Sequence, residues 1–161
     1  MNAREHHYRL DLDWTGAAQG PTNSYQSYSR EYLVRIDGKP LLKGSADPTF
    51  RGDPTLHNPE DLLVAALASC HMLSFLAVAV RAGVVVIRYR DEGEGLMTFD
   101  AGHYQFTRVV LRPRVVVAAG TDPALVDRLH HQAHESCFIA RSVNFPVDHE
   151  ALVDFAVEPT A

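Results

Sequence analysis

An α+β fold is what this sequence predicts, on three observations. Strand-like segments come in runs instead of alternating singly with helices, an apolar stretch from Leu62 to Val80 dominates the middle of the chain, and a second, shorter helical pattern follows the later strands. The resulting order, βββ-α-βββ-α-β, lacks the regular alternation of a parallel α/β sheet. With 161 residues, 46% of them apolar and 22% charged, the chain matches one soluble domain over 1–161, with a core that needs neither disulfide nor metal staples.

The first element is the stretch YRLDLDW, residues 8–14, whose apolar and polar residues alternate as in a half-buried strand. A Gly/Pro/Asn loop follows, then a second strand from about Tyr25 to Ile36 with Tyr32, Val34 and Ile36 on one face. Asp37-Gly38 signals a hairpin into KPLLKGS. Asn58-Pro59 is a helix start: Asn caps free amides, Pro at the first helical position gives up no bond, and Glu60 and Asp61 suit the positive end of the dipole. This long central helix runs to Arg81, stops at Gly83 and spans about 35 Å. Apolar residues lie nearly all round it, so most of its sides need cover, and a dimer interface along it supplies what one small domain cannot.

After Gly83 the β-branched and charged residues, broken by EGEG and DAG turns, read as a three-stranded meander. Asp122-Pro123 repeats the cap-then-proline start, and Val126, Leu129, Ala133 and Cys137 form one stripe of a second helix. A Pro-interrupted segment and a last strand, ALVDFAVEP, residues 151–159, complete the chain.

Charge and composition exclude several functions. The net charge of −5 is spread along the chain with no basic stripe, which argues against nucleic acid or an anionic membrane as partner. The opening MNAREHHYRL carries charges where a signal peptide needs an apolar stretch, so the expected location is cytoplasmic. The apolar run 62–80 is broken by Ser69, Cys70, His71 and Ser74 and is rich in Ala, which favours a buried core helix over a membrane span. No phosphate loop and no G-x-S-x-G elbow is present.

The chemistry therefore rests on two cysteines, Cys70 beside His71 in the central helix and Cys137 three residues after His134. Either thiol alone reads most simply as a core-filling residue. Together they can run a redox cycle in which one thiolate attacks an oxidant, becomes a sulfenic acid and is resolved by the other. Burial raises a thiol pKa, so such a cycle needs a nearby cation. The candidates are Arg51 before the central helix, Arg30 and Arg35 in the second strand, Arg141 after Cys137, and protonated histidine. Glu60 can orient an arginine through a bidentate pair, or can simply favour the helix start. Glu60 and Cys70 stand ten residues apart, about 15 Å along one helix. Zinc held by Cys70, His71, His134 and Cys137 is a weaker alternative, because neighbours on a helix point about 100° apart. The same divergence disfavours a Cys70–His71 hydrolase. His6, His7, His130 and His131 read as solvated or incidental.

The stretch NPEDLLVAALASCHM, with Glu60 and Cys70 ten residues apart, together with HESCFIARSV around Cys137, resembles the signatures of the OsmC/Ohr family of thiol-dependent peroxidases. The resemblance covers nearly the whole chain. It implies an intertwined α+β homodimer in which Cys70 attacks the peroxide, Cys137 closes the disulfide, and a Glu60-paired arginine, here assigned to Arg51, holds the thiolate. It further implies organic or lipid-derived hydroperoxides as substrates, a dithiol such as a protein-bound lipoyl group as reductant, a role in oxidative stress, and no metal, haem or flavin. Cys137-Phe-Ile-Ala-Arg-Ser departs from the Cys-Pro-x-Ser of the well-studied branches and points to a less-characterised subgroup. The alternative for the same fold is a non-catalytic redox sensor or a binder of small apolar ligands.

Overall fold

The computed structural model describes residues 5–157 and divides the chain into two compact units, Met1–Leu62 and Leu63–Ala161. Residues 1–4, where the charged N-terminal stretch begins, and 158–159, where the expected last strand ends, lie outside the described residues.

In the first unit, β1 (Asp11–Trp14), β2 (Tyr32–Arg35) and β3 (Leu42–Gly44) form an antiparallel sheet in that order, with Trp14 opposite Tyr32 and Val34 opposite Leu42. The second strand is shorter than the sequence indicates. Upstream of Tyr32, Arg30 donates to the carbonyls of Tyr25 and Tyr28 and its guanidinium lies 3.8 Å from the Tyr28 ring centroid. Trp14 Nε1 donates to the Ser29 carbonyl at 2.7 Å. Side chains thus take carbonyls that a longer ladder would need, and an aromatic-rich turn forms in place of strand.

The central helix, α1, runs Pro59–Arg81 as its capping residues dictate. Asn58 Oδ1 accepts from the Asp61 N–H at 2.7 Å, and the Asp61 carboxylate accepts from the Asn58 N–H at 3.3 Å, a reciprocal capping box. Asp61 closes the cap, and both Glu60 and Asp61 stand in the first turn as expected. At the far end Gly83 adopts φ 74°, the left-handed conformation that lets the chain turn away.

The expected three-stranded meander is instead four strands divided between two sheets: β4 (Val86–Asp91), β5 (Glu94–Asp100), β6 (His103–Leu111) and β7 (Pro113–Val117). β5 and β6 form a hairpin, whereas β4 pairs with β7. The chain changes sheets at Glu92-Gly93 and at Arg112. One set of contacts ties these crossings together: the Asp91 carboxylate accepts from the Arg112 N–H at 2.8 Å, and the Arg112 guanidinium reaches Glu94 and Glu150, each at 3.0 Å. Residues 109–117 look continuous in sequence, and only these nonlocal contacts divide them.

The second helix, α2 (Pro123–Ser136), is capped by Asp122, which accepts from the Ala124 N–H at 2.9 Å. The expected last strand is β9 (Leu152–Phe155), parallel to β7, and the Pro-interrupted segment before it adds an unexpected strand, β8 (Val147–His149), parallel to β6.

Within the second unit α1 buries a narrow stripe at four-residue spacing: Leu67, His71, Phe75 and Ala79. Leu67 packs with Val109, Leu111 and Val147, whereas Phe75 and Ala79 pack with Val115, Val117 and the α2 residues Val126, Leu129 and Ala133. A Cβ on Gly95 would stand 2.7 Å from Val64 Cγ2, so the β5–β6 hairpin needs glycine to approach the helix. The rest of α1 differs from the fully covered core helix read from sequence. It is long and apolar enough to cross a membrane by length and composition alone, and only 22% of its most apolar window is buried within the chain.

Phe75 is wholly buried at the α1–α2 contact. Phe75→Ala is expected to lower unfolding stability by about 3–5 kcal/mol in urea titration at neutral pH, with a loss under about 1 kcal/mol removing it from the core.

Candidate functional site

Cys70 and Cys137 come from different elements and meet. Cys70 lies mid-way along α1, one position before the buried His71, and so turns about 100° away from the buried stripe. Cys137 is the C-cap of α2, where the stripe Val126, Leu129, Ala133 carries it beneath the surface. The two are free thiols, near enough for Cys70 to raise the pKa of Cys137. Cys137 is 1% exposed while Cys70 is half-buried, the reverse of the order that the apolar run around Cys70 implies.

Their environments separate them chemically. Burial pushes the Cys137 thiol up to about 11, and the neighbouring Cys70 adds to the rise. The backbone N–H groups of Ala140 and Ile139 oppose it, with the Ala140 N–H donating to Cys137 Sγ at 3.4 Å. Cys137 is therefore a protonated thiol at neutral pH. Cys70, in contrast, opens onto a cavity of about 510 Å³ whose walls include Leu73, Ala77 and Arg81 of α1 together with Phe138 and Ile139. Three serines line it: the Ser69 hydroxyl donates to Ala65 O at 2.7 Å and the Ser136 hydroxyl to Gln132 O at 2.8 Å, each turned onto its own helix, and Ser74 is the third.

The other sequence candidates are distributed differently. In the first unit, Glu60 holds a carboxylate oxygen, Oε2, that is buried and has no hydrogen-bond partner among the described residues. Glu60 and Asp61 both help to raise the pKa of Tyr32, after its burial. Arg51 is exposed, adopts φ 69°, and makes a 3.5 Å hydrogen bond to Gln26 O; it forms no ion pair with Glu60. Arg30 is held by Tyr25 and Tyr28, and Arg35 pairs with Asp13. In the second unit the side chain of Arg141 is exposed, and its backbone N–H donates to Cys137 O at 3.1 Å.

The arginine on the wall of the Cys70 cavity is Arg81, which the sequence reading passed over. The signal was present, since eleven residues are three helical turns and place Arg81 on the same face as Cys70.

Histidine gave the larger surprise. His130, read as solvated or incidental, is 0% exposed. His71 Nε2 lies 3.2 Å from His130 Nδ1, and the Phe75 and His130 rings stack with centroids 4.0 Å apart. His149 of β8 adjoins His71 at 5.4 Å between centroids, with His131 and His134 on its outer side. Burial drives His71 to about 4 and His130 to about 3, with neighbouring histidines adding to each shift; burial also lowers His149. His71 is thus neutral at physiological pH and supplies no positive charge to Cys70. Nor do Cys70, His71, His134 and Cys137 converge as zinc ligands: among the described residues no three or more His, Cys, Asp or Glu side chains are arranged to hold a metal ion.

Comparison with known proteins places this geometry. The family profile described as "OsmC-like protein" matches residues 52–151. The uncharacterized protein YmaD of Bacillus subtilis (strain 168) is 26% identical over 148 residues, which cover 89% of this chain and 91% of YmaD. Among solved structures, an OsmC-like protein of unknown function from Vibrio cholerae superposes with a TM-score of 0.83 at 34% identity, over 92% of this chain and all of that one. An organic hydroperoxide resistance protein from Elizabethkingia anophelis shares the fold with a TM-score of 0.66 at 16% identity, over 95% of this chain and 100% of its own.

The histidines make the fold acid-sensitive. An unfolded chain binds their protons near the ordinary value of 6.5, the folded chain only near 4 and 3, so the unfolded state holds more protons in between. Stability is complete above about pH 6.5 and is lost as pH falls from there toward 4, by up to about 1.4 kcal/mol per pH unit for each histidine. His130→Phe is expected to flatten that slope in urea titrations between pH 7 and 4, and an unchanged slope would remove His130 from the account.

Proposed function

The chain belongs to the OsmC-like family, and from that premise we propose that it is a cytoplasmic, cofactor-free two-cysteine peroxidase that reduces organic hydroperoxides. The observation that carries this reading is the pair of neighbouring thiols in unlike surroundings, one opening on an apolar cavity and the other buried and protonated.

The Cys70 thiolate attacks the terminal oxygen of the hydroperoxide, breaking the O–O bond; sulfur is oxidised to the sulfenic acid and the departing alkoxide takes a proton to leave as alcohol. Cys137, deprotonating as it reacts, then displaces the hydroxyl of Cys70, forming the disulfide and releasing water. A dithiol, such as a protein-bound lipoyl group, returns both sulfurs to thiols and is itself oxidised to a disulfide. In this reading Glu60 and Arg51 stay the proposed activating residues on the family resemblance alone; Arg51 is not paired with Glu60, whose unpartnered carboxylate oxygen leaves a place for a cation. The uncovered apolar face of α1, where Leu73 and Val80 are 61% and 72% exposed, supports a homodimer built along that helix. The apolar lining of the cavity favours a second reading, a redox sensor or binder of a small apolar ligand with no turnover.

Thiol counting during titration with cumene hydroperoxide and with hydrogen peroxide separates the two. The parent is expected to lose both thiols quickly, Cys70→Ser to consume no peroxide, and Cys137→Ser to stop at a sulfenic or over-oxidised Cys70. Slow thiol loss with both oxidants, or a Cys70→Ser protein as fast as the parent, sinks the peroxidase reading. Disulfide closure should also accelerate with pH through the neutral range, because the Cys137 thiolate fraction rises about tenfold per unit below about 11. Glu60→Gln should slow the first step by roughly tenfold or more at pH 7 without altering the final disulfide.

A further inference from the structure

We infer that Ser74 is a catalytic residue: its hydroxyl donates to the oxygen that departs when Cys70 cleaves the peroxide. The inference rests on the peroxidase reading and assigns the proton donor of its first step. Ser74 lies four residues after Cys70 on α1, and both line one cavity. Residues at that spacing share a helix face, with Cβ atoms about 5–6 Å apart. Helical side chains lean toward the N-terminus, so Ser74 leans back over the turn that carries Cys70.

The other polar groups of the cavity are engaged or out of reach. The Ser69 and Ser136 hydroxyls donate to the carbonyls of Ala65 and Gln132, four residues before each. Ser74 does not follow that habit: it is half-buried, and its hydroxyl has no hydrogen-bond partner among the described residues. Arg81 stands eleven residues from Cys70, about 16 Å along the helix. Cys137 holds a proton but is 1% exposed and is not among the residues lining the cavity. The simpler role for Ser74, a small side chain that leaves the cavity open, asks only for its size and does not account for a free donor one turn from the sulfur.

In-line attack puts the leaving oxygen on the far side of the attacked one from sulfur. As the S–O bond forms and the O–O bond breaks, sulfur is oxidised, the peroxide is reduced, and negative charge collects on that leaving oxygen. A donor already in place there strengthens its hydrogen bond as the charge grows. The Ser74 proton passes to the alkoxide to give the alcohol, and water returns a proton to the serine oxygen.

The test uses leaving groups of unlike basicity. Cumene hydroperoxide expels a strongly basic alkoxide, whereas peracetic acid expels acetate, which needs no proton. Single-turnover oxidation of Cys70 is followed with each oxidant in the full-length parent, Ser74→Ala and Ser74→Thr, beside alkylation of Cys70 by iodoacetamide, which breaks no O–O bond. Ser74→Ala should slow the reaction with cumene hydroperoxide roughly tenfold or more and leave peracetic acid and iodoacetamide within about twofold, and Ser74→Thr should restore part of the loss. Equal losses with both oxidants overturn the inference, because a donor to the leaving oxygen does not act alike on alkoxide and acetate. A loss shared by iodoacetamide makes Ser74 a residue that sets thiol reactivity or local structure, and likewise overturns it. A parent that does not react with cumene hydroperoxide removes the peroxidase reading, and this inference with it; a parent that reacts but is indifferent to Ser74→Ala overturns this inference alone.

Discussion

The seating of α2 against α1 through aromatic and imidazole rings is the interaction on which the site depends. Phe75 and His130 stack at 4.0 Å, and His71, one turn back along α1, meets His130 edge to edge at 3.2 Å. A helix has no free rotation once a four-residue stripe is buried, so fixing Leu67, His71, Phe75 and Ala79 inward fixes Cys70 sideways, toward the cavity. The same contact sets the phase of α2, and its stripe ends on Cys137. Two thiols 67 residues apart in sequence thus meet because two helices share one line of packing. That line lies where the two core clusters adjoin, with Leu67 in one cluster and Phe75 in the other, which is why rings fill it.

The division of labour between the thiols follows from desolvation. Removing Cys137 from water disfavours its thiolate, and the adjacent N–H groups of Ala140 and Ile139 offset that only in part. The buried thiol is thereby poor at first attack and suited to a second, intramolecular one, where proximity to Cys70 replaces nucleophilic strength. The Cys137-Phe-Ile-Ala-Arg-Ser segment supplies those N–H groups from Ile139 and from Ala140, the cap and first residue of a short 3-10 turn, Ala140–Ser142, so backbone donors face the sulfur without a proline after the cysteine.

Features encoded by adjacent residues were legible in the sequence. Both helix starts, the stop of α1 and the buried stripe of α2 depend on caps and periodicity, and all stand where those signals put them. What escaped depends on partners far along the chain. The division of the later strands between two sheets needs Asp91 to meet Arg112, and the short β2 needs Arg30 to capture two upstream carbonyls. His130 was misjudged because it borders the Val126–Leu129–Ala133 stripe, and a polar residue there is told from a solvated one only when His71 is known to face it. Cys70 and Cys137 were found by their spacing and family resemblance, whereas their unequal burial required the fold.

The helix that presents Cys70 also raises the question of cover. Twenty-three residues of mostly apolar helix bury only four within the chain. Hydrophobic association scales with apolar area removed from water, so a face that retains Leu73 and Val80 in solvent is a stable state only if something else lies on it. Substrate alone is too small and too transient to fill that role along the full length of α1. The homodimer proposed above would fill it, best where side chains are large. The cavity occupies the stretch where α1 carries small residues, Ala66, Ser69, Ser74 and Ala77, and there a neighbouring surface would be held off by Leu73 and Phe138 rather than packed flat. Small residues beside Cys70 therefore do for the cavity what large ones do for a packed core: they leave a largely apolar space open next to the sulfur along an otherwise adhesive helix.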